Sequence, residues 1–434
     1  MRITVVGLGK IGLPLAVQYA MKGHDVIGTD INPATVALIN RAREPFPGET
    51  DLEQNLKSVI DSGHLRATLD TSSATRHSDA IVVVVPLFID ELGQPDFTAM
   101  DSATLAVGRG LLRGSLVCFE TTLPVGTTRN RLAPILEASS GLTAGIDFDL
   151  VFSPERVFTG RVFQDLRKYP KIVGGINATS TARGADFYRL VLDFDDRPDL
   201  VRGNGVWTME SCEEAEMAKL AETTYRDVNI ALANQFALYA EGQGMNVHEI
   251  IEAANSQPFS HIHKPGISVG GHCIPIYPKL YLWGDNEATL VKISREANLE
   301  MPERCIARLE SNVGSLRGLR TVVLGAAYRG GVKETAFSGV FAIVAALNRR
   351  GALPFVHDPL YADHELLDLG LLPYHRGESI DVVILQTDHE QYREWSIEDV
   401  PGAICIFDGR NFTEPSNWRG IERVVLGRGT ELAD

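Results

Sequence analysis

Cys273 lies in the stretch VGGHCIPIY, directly after a glycine pair and a histidine. Three roles are open to it: a nucleophile, a metal ligand, or an inert apolar residue in a turn. A thiol held in a loop near backbone N–H groups is readily converted to the nucleophilic thiolate. Gly270 and Gly271 indicate that the backbone comes close to another group. We expect Pro275 and Pro278 to block helix formation around the thiol.

Three nearby histidines raise the metal alternative. His261, His263 and His272 stand with the cysteine in an H-x-H-x8-H-C arrangement. Imidazole and thiolate are good zinc ligands, but this spacing matches no common closed site and no second cysteine lies nearby. We therefore expect no metal.

The N-terminal stretch VVGLGKIGLPLA has the G-x-G-x-x-G spacing, with Gly7, Gly9 and Gly12. These glycines allow, in turn, a tight turn, an approach to a pyrophosphate, and close helix–strand packing. Asp30 follows about 20 residues later, where a carboxylate can accept ribose hydroxyls. Because that carboxylate repels a 2′-phosphate, the sequence favours NAD over NADP. A glycine turn that binds nothing is the alternative.

Polar residues follow two further strand-like runs. CFETTLPVGTT carries Thr122, and FSPERVFTGR carries Glu155 and Arg156. The carboxyl ends of parallel strands face the ligand crevice in α/β folds, although a capped turn or a surface glutamate would look the same. On a long helical run, Lys219 and Thr223 share one face, where a lysine is more commonly a solvated charge.

Strand-like runs alternate with helical patterns up to about Val173 and again from Leu319, which is typical of parallel sheets covered by helices. Between them, EEAEMAKLAETTYRDVNIALANQFALYAEGQG predicts one helix of roughly 30 residues that ends at a glycine pair. We predict an α/β fold with two Rossmann-like, doubly wound domains joined by a central long-helix region.

Composition narrows the function classes. A length of 434 residues predicts two or three domains. A net charge of −15 argues against nucleic acid or an anionic membrane as the main partner. Five widely spaced cysteines without a CxxC pair suit a reducing cytoplasm. No apolar run approaches ~20 residues and the N-terminus enters a strand, so we expect neither a membrane span nor a signal segment.

The glycine loop, ETTLPVGTT, SPERVFTG, AEMAKLAETTYRDVNIALAN and GGHCIP together resemble the motifs of the UDP-sugar 6-dehydrogenases, a family that includes UDP-glucose dehydrogenase. SPERV and GGHCIP are most similar to the branch that acts on UDP-N-acetylhexosamines. The resemblance implies NAD as cofactor, a UDP-sugar as substrate and a homodimer. It divides the chain into an NAD-binding domain at 1–205, a central helical dimerisation and catalytic segment at 206–312, and a UDP-binding domain at 313–434.

The family oxidises a C6 alcohol to a carboxylate through a cysteine thiohemiacetal and a thioester. By resemblance, Cys273 is the nucleophile, Lys219 stabilises the oxyanion with help from Thr223, and Thr122 and Glu155 manage the water. The implied cofactor positions are Gly7, Gly9, Lys10, Ile11, Gly12, Asp30 and Thr122. The implied substrate positions are Glu155, Arg156, Lys219, Thr223, His263, Gly266, Gly270 and Arg329.

Four positions depart from the family pattern: Tyr277 for Asp, Thr223 for Asn, Leu87 for Thr, and Ala336 for Arg. They indicate a divergent branch rather than an inactive protein, because Cys273 and the glycine loop remain. UDP-glucose or another nucleotide sugar is the nearest alternative substrate. A β-hydroxyacid or 6-phosphogluconate type dehydrogenase would need neither the cysteine nor a second α/β domain. A non-catalytic NAD-binding sensor is the alternative outside enzymes.

Overall fold

The computed structural model describes residues 1–90 and 93–429. The chain divides into two compact units, Met1–Ala221 and Glu222–Asp434, and the division falls inside a single long helix. Within the described part of the chain, none of the helices has both the length and the hydrophobicity needed to cross a bilayer.

The first unit contains an eight-stranded sheet and a two-stranded hairpin. The sheet strands are β1 (Arg2–Val6), β2 (Asp25–Thr29), β3 (Leu65–Thr68), β4 (Ala80–Val83), β7 (Leu116–Phe119), β8 (Asp149–Phe152), β9 (Lys171–Gly175) and β10 (Val206–Thr208), and the hairpin strands are β5 (Phe88–Ile89) and β6 (Pro95–Asp96). The sheet order is β10-β9-β8-β7-β4-β1-β2-β3. The stretch β3-β2-β1-β4 is the arrangement of a dinucleotide-binding fold.

Two strands, β9 and its parallel neighbour β10, depart from the expected parallel direction. β9 runs antiparallel to β8, with Val151 opposite Gly175, whereas the sequence pattern predicted a parallel sheet throughout. The connection contains only the seven-residue helix at Val162–Lys168, and the chain re-enters the sheet at the edge it left. Lys171, the first residue of β9, therefore lies at the same edge as the carboxyl ends of β7 and β8.

Helices cover both faces of this sheet. They are α1 (Gly12–Met21), α2 (Pro33–Ile39), α3 (Leu52–Asp61), α4 (Thr71–Arg76), α5 (Thr98–Gly110), α6 (Ala133–Ser140), α7 (Val162–Lys168) and α8 (Ala178–Val191), and a π-helical turn at Thr128–Leu132 leads into α6. Alternate strand residues enter separate apolar clusters: Val5 packs in one and Val6 in the other. That alternation is what a sheet buried on both faces requires.

The central part of the chain is helical, as predicted. α9 spans Cys212–Gly242, and it is followed by α10 (Val247–Asn255), α11 (Tyr277–Gly284) and α12 (Thr289–Val313). The prediction that Pro278 blocks a helix is wrong, because this proline lies in the first turn of α11. The N–H groups of a first turn have no intrahelical partner, so a proline there costs nothing.

A second α/β sheet closes the second unit. Its strands, all parallel, are β11 (Arg320–Leu324), β12 (Leu353–His357), β13 (Val382–Leu385), β14 (Cys405–Asp408) and β15 (Glu422–Val425), in the order β12-β11-β13-β14-β15. Its helices are α13 (Gly339–Arg349) and α14 (Asp363–Asp368), with short 3₁₀ turns at Glu390–Glu394, Ile397–Asp399 and Pro415–Trp418. The predicted fold class, with two α/β sheets and a central long helix, is confirmed.

Candidate active site

The glycine loop between β1 and α1 has the shape that the motif predicts. Gly7 has φ 91°, and its N–H donates to the Thr29 carbonyl over 2.8 Å. A Cβ on Gly12 would lie 1.8 Å from the Gly7 carbonyl oxygen, so no side chain fits there. A Cβ on Gly9 would meet nothing within 4 Å, which leaves this backbone open to a ligand. The loop therefore fits a pyrophosphate at the helix N-terminus.

Asp30 follows β2 and is fixed toward this loop. Its carboxylate accepts hydrogen bonds from the Leu8 N–H over 2.9 Å and from the Asn32 N–H over 2.8 Å. Each carboxylate oxygen keeps a second lone pair, so the group can still accept from ribose hydroxyls. Lys10 is exposed beside the loop, and Ile11 precedes the first residue of α1.

Thr122 is buried in a loop that is hydrogen-bonded to a glutamate of α9. Its side chain is 5% exposed. The Glu216 carboxylate, on α9, accepts from the Gly126 N–H at 2.5 Å and from the Thr128 N–H and hydroxyl at 2.8 and 2.6 Å. Burial raises the pKa of Glu216 to about 7, although these three hydrogen bonds oppose the increase. The Thr122 loop and the lysine-bearing helix are thus fastened together by one carboxyl group.

Lys219 and Glu155 are both withdrawn from solvent. Lys219 lies one turn beyond Glu216 and is 6% exposed, so it is not the solvated helix lysine that its sequence context alone allowed. Burial opposes ionisation of Glu155, but the cations Lys171 and Lys219, with a hydrogen bond from Glu120, bring its pKa below the usual value. Arg156 donates to the Pro170 carbonyl at 3.4 Å.

In the second unit, Cys273 lies in a turn that glycines pack against an aromatic ring. Gly271 has φ 90°, and its N–H donates to the Ala336 carbonyl at 2.9 Å. A Cβ on Gly271 would lie 2.9 Å from the Tyr328 ring, and one on Gly270 would lie 2.7 Å from the Tyr328 Cβ. The close approach predicted for the glycine pair is therefore an approach to Tyr328.

Cys273 differs from the other four cysteines. Cys118, Cys212, Cys305 and Cys405 are buried, whereas Cys273 is partly exposed, and all five are free. Burial raises the pKa of each buried thiol, for Cys212 and Cys405 to about 12. Among the described residues, no three His, Cys, Asp or Glu side chains are grouped so that they could hold a metal.

A buried polar network lies under the cysteine turn. The Arg295 side chain, on α12, pairs with Asp227 of α9 at 3.1 Å and donates to the Ile274 carbonyl at 3.5 Å. The Asn298 amide donates to the Asp227 side chain at 2.8 Å. Ile274 follows Cys273 in the chain, so Arg295, which is itself paired with Asp227, holds the cysteine turn.

The same network reaches a second predicted substrate position. The Asn234 amide donates to the Asn298 side chain at 3.0 Å and accepts from the Gly266 N–H at 2.9 Å. A Cβ on Gly266 would lie 2.5 Å from the Arg410 guanidinium, which also donates to Ser268 at 3.3 Å. The Arg410 guanidinium is therefore a cation directly beside Gly266.

His263 and Arg329, two further predicted substrate positions, have different partners in this unit. The His263 backbone N–H donates to the Asn229 side chain at 2.8 Å, and the His263 ring meets the Tyr225 ring edge to face. Burial lowers the pKa of His263. The Arg329 guanidinium donates to the Tyr328 hydroxyl at 3.2 Å, so it is attached to the residue that packs on the cysteine turn.

Comparisons with known proteins cover almost the whole chain. Residues 1–192, 213–300 and 322–415 match the NAD binding, central and UDP binding domains of the UDP-glucose/GDP-mannose dehydrogenase family. A UDP-N-acetyl-D-mannosamine dehydrogenase of Pyrococcus horikoshii is 35% identical over 98% of this chain and 99% of its own. The chain belongs to the UDP-glucose/GDP-mannose dehydrogenase family.

Two further relatives mark the breadth of the likeness. An NDP-N-acetyl-D-galactosaminuronic acid dehydrogenase of Ralstonia solanacearum is 32% identical over 93% of this chain and 94% of its own. The structure of a UDP-glucose dehydrogenase from Pyrobaculum islandicum matches with TM-score 0.87 and 26% identity, over 99% of this chain and 98% of that one. The predicted family, the oxidoreductase activity and NAD as cofactor are confirmed.

The four positions that are predicted to depart from the family pattern have defined surroundings. Tyr277 begins α11, and its N–H donates to the Cys273 carbonyl at 2.9 Å. Thr223 is 2% exposed on α9. The Ala336 carbonyl is the acceptor that holds Gly271. Leu87 packs against the apolar cluster of β4 and β7.

A group of buried residues around Glu155 is not among the site residues predicted from the sequence. Glu120 directly follows β7, Lys171 begins β9, and Tyr19 and Tyr188 lie on α1 and α8. An acid that directly follows a hydrophobic strand, in CFETT, was the available signal for Glu120. Nothing in the sequence pointed to Lys171, because its position depends on the antiparallel direction of β9.

Proposed function

We propose that this dehydrogenase oxidises the C6 hydroxyl of a UDP-N-acetylhexosamine to a carboxylate, with GlcNAc or ManNAc as the sugar. The observation that carries the proposal is the partly exposed Cys273 in its glycine turn against Tyr328. A thiol is needed for a four-electron oxidation that keeps the aldehyde bound, and not for a simple alcohol–ketone interconversion. The Pyrococcus and Ralstonia relatives, both named for N-acetylhexosamine derivatives, support the sugar class.

NAD supplies a hydride acceptor for each of the two oxidations when it is bound at the glycine loop. The Cys273 sulfur adds to the C6 aldehyde as a thiohemiacetal, which the second oxidation converts to a thioester. Water then attacks the thioester carbon, its proton passes to Glu155, and the sulfur leaves as the Cys273 thiolate. Covalent capture divides the oxidation into steps and prevents loss of the aldehyde.

Lys219 and Thr223 are proposed to stabilise the oxyanion that forms when the sulfur or water adds. They lie one turn apart on α9 and are 6% and 2% exposed. A cation and a hydroxyl that are already desolvated need little reorganisation as charge develops. Thr122, held in its loop by Glu216, and Glu155 are proposed to position the attacking water, with Arg156 beside them.

The UDP-sugar is assigned to the second unit. We propose that Arg329 and Arg410 contribute positive charge for the pyrophosphate, and that Gly266, Gly270 and His263 line the sugar nucleotide site. Arg410 lies against Gly266, where only glycine leaves room for it. Guanidinium groups suit phosphate oxygens because they donate in a planar fork. The domain bounds 1–205, 206–312 and 313–434 stay a prediction.

We also propose a homodimer formed through α9. This helix exposes Tyr225, Leu232, Phe236 and Tyr239, at 52%, 45%, 38% and 65%. Their spacing of seven, four and three residues places them along one stripe of the helix. A second copy of the same helix is a self-complementary partner for such a stripe.

Five free cysteines support a reducing, cytoplasmic location.

The test supplies a panel of nucleotide sugars and measures the NADH formed from each one by its absorbance. UDP-N-acetylglucosamine, UDP-N-acetylmannosamine, their galacto epimers and UDP-glucose are each supplied in limiting amount with excess NAD. Two NADH per molecule of one N-acetylhexosamine, with a uronate as product, is the expected result. Two NADH from UDP-glucose with none from the N-acetyl sugars would establish the alternative substrate. One NADH per sugar would exclude the thioester route.

A further inference from the structure

A buried ion cluster lies behind Glu155 in the first unit. The Lys171 ammonium contacts the Glu155 carboxylate and also donates to Glu120 at 2.9 Å. Lys171 and Glu120 are 4% and 1% exposed. Of the three groups, the Glu155 side chain is the most exposed, at 10%. Glu155 is therefore the member of the cluster nearest to solvent.

The cation in this cluster is anchored from several elements. The Tyr188 hydroxyl, on α8, donates to Glu120 at 2.7 Å, and the Tyr19 hydroxyl, on α1, donates to it at 3.3 Å. The Lys171 ammonium also lies 4.7 Å from the centre of the Tyr188 ring. Lysine loses considerable side-chain freedom when it is held in this way, so the anchoring fixes where its charge is presented.

The charges assign different protonation states to the two carboxyl groups. Burial raises the pKa of Glu120 to about 8, and the neighbouring Glu155 raises it further against the effect of Lys171. Glu155 has a lowered pKa despite its burial, because Lys171, Lys219 and the Glu120 hydroxyl all favour its anion. Burial raises the pKa of Tyr19 and Tyr188 as well, so both stay neutral. Near pH 7, the pair therefore holds one proton, which resides on Glu120, while Glu155 is ionised beside the Lys171 ammonium.

We propose that Lys171 is a positioning residue that holds the Glu155 carboxylate ionised and correctly oriented, while Glu120 and Tyr188 hold Lys171. The proposal rests on the proposed role of Glu155 as the base for thioester hydrolysis. It explains why a lysine starts a strand at the edge where β7 and β8 end. A general base must be both deprotonated and in place when water attacks.

A purely structural ion pair would behave differently. Its loss would weaken folding and would slow every catalytic step together. Loss of a positioning group for the base slows hydrolysis selectively, because both hydride transfers precede it. It also raises the proton affinity of Glu155, which moves the acidic limb of the rate profile to higher pH.

The experiment uses the full-length protein and compares wild type, Lys171→Met, Lys171→Arg, Glu155→Gln and the double variant Lys171→Met/Glu155→Gln. Stopped-flow absorbance follows NADH from the best sugar of the panel, and steady-state rates are taken across pH. For Lys171→Met we expect a rapid burst of two NADH per active site and then turnover about 10²-fold slower than wild type. The acidic limb should move to higher pH, and Lys171→Arg should recover most of the loss.

The double variant tests whether Lys171 acts through Glu155. We expect it to turn over as slowly as Glu155→Gln alone and no more slowly. Additive losses, or a Lys171→Met protein whose burst and turnover fall equally with an unshifted pH profile, would overturn the inference. Normal turnover of Glu155→Gln would instead remove the proposed role of Glu155. Absence of a two-NADH burst in wild type and variants alike, with one NADH per sugar, would remove the proposed function.

Tyr188→Phe provides the same test if Lys171→Met does not fold. It deletes one hydroxyl from behind Glu120 and keeps the ring beside Lys171. The expected result is a smaller slowing of hydrolysis with a retained burst. NAD affinity, measured by calorimetry, should match wild type in every variant. Equal loss in all steps for Tyr188→Phe would also contradict the positioning role.

Discussion

Each carboxylate oxygen of Asp30 accepts one hydrogen bond from the protein backbone, from the N–H groups of Leu8 and Asn32. We predict that Asp30→Asn weakens NAD binding by roughly 1–3 kcal/mol. The amide nitrogen of Asn cannot accept a hydrogen bond, either from a backbone N–H or from a ribose hydroxyl. Calorimetric titration with NAD measures the loss. Asp61→Asn, on the exposed end of α3, is the control. Unchanged affinity for Asp30→Asn would place the cofactor ribose elsewhere.

Cys273 is proposed to carry the covalent intermediate. We predict that Cys273→Ser still binds NAD and the UDP-sugar but completes at most the first oxidation. A serine alkoxide is much harder to form near neutral pH than a thiolate, and an ester is a poorer intermediate. The expected trace is a slow or single release of NADH, and intact-protein mass spectrometry can detect a trapped adduct. Full four-electron turnover would show that the thiol only packs in its turn.

Gly271 allows the cysteine turn to pack against the β11–α13 connection. We predict that Gly271→Ala costs about 1–3 kcal/mol of folding stability, since φ is 90° and the new Cβ would meet the Tyr328 ring at 2.9 Å. Turnover should fall further, because relief of the clash displaces Cys273. Gly284→Ala is the matched control: a Cβ there meets nothing within 4 Å. Urea unfolding and kcat are measured together. Equal effects of the two substitutions would contradict this assignment.

The hydrogen bonds between Glu216 of α9 and the Thr122 loop depend on the protonation of one buried carboxyl group. Its pKa rises from 4.5 to about 7 on folding, so the folded protein holds an extra proton between these values. The associated stability is full below pH 4.5 and is lost as pH rises through about 7. We predict that this loss, on the order of 2–3 kcal/mol, disappears in Glu216→Gln. Urea unfolding across this pH range measures it, with exposed Glu53→Gln as control. Parallel curves for wild type and Glu216→Gln would disprove it.

At the scale of the molecule, the apolar stripe of α9 predicts self-association. We expect the wild-type protein to elute with the mass of a dimer, and Leu232→Glu/Phe236→Glu to elute as a monomer, because two charges per copy would be buried at the interface. Light scattering after size exclusion gives the mass. Ile146→Glu, which changes an exposed apolar residue outside α9, should stay dimeric. A wild-type monomer, or a dimer that tolerates the double change, would remove α9 from the interface.

Most of the fold could be predicted from the sequence, because the patterns that indicate its elements lie within short segments. The α9 helix, the strand β1 and the glycine loop each follow from a hydrophobic period or a glycine requirement within one short segment. The wrong prediction for Pro278 has a local cause too, since a proline that breaks a helix interior is favoured in a first turn. The direction of β9 was not readable, because a strand has the same sequence pattern whichever way it runs.

The sequence by itself determined the family and the cofactor class, since glycine spacing and motif order do not depend on how the chain is arranged, and it predicted Cys273 as the nucleophile. Only the tertiary structure decided which charged groups are buried and what faces them. Lys219 could have been a solvated helix lysine, yet it is 6% exposed beside Glu216. Glu155 acquired its partner because an antiparallel strand brings Lys171 back to the edge where β7 and β8 end. Burial and electrostatic pairing are properties of distance in space, which residues 16 positions apart do not encode in their spacing.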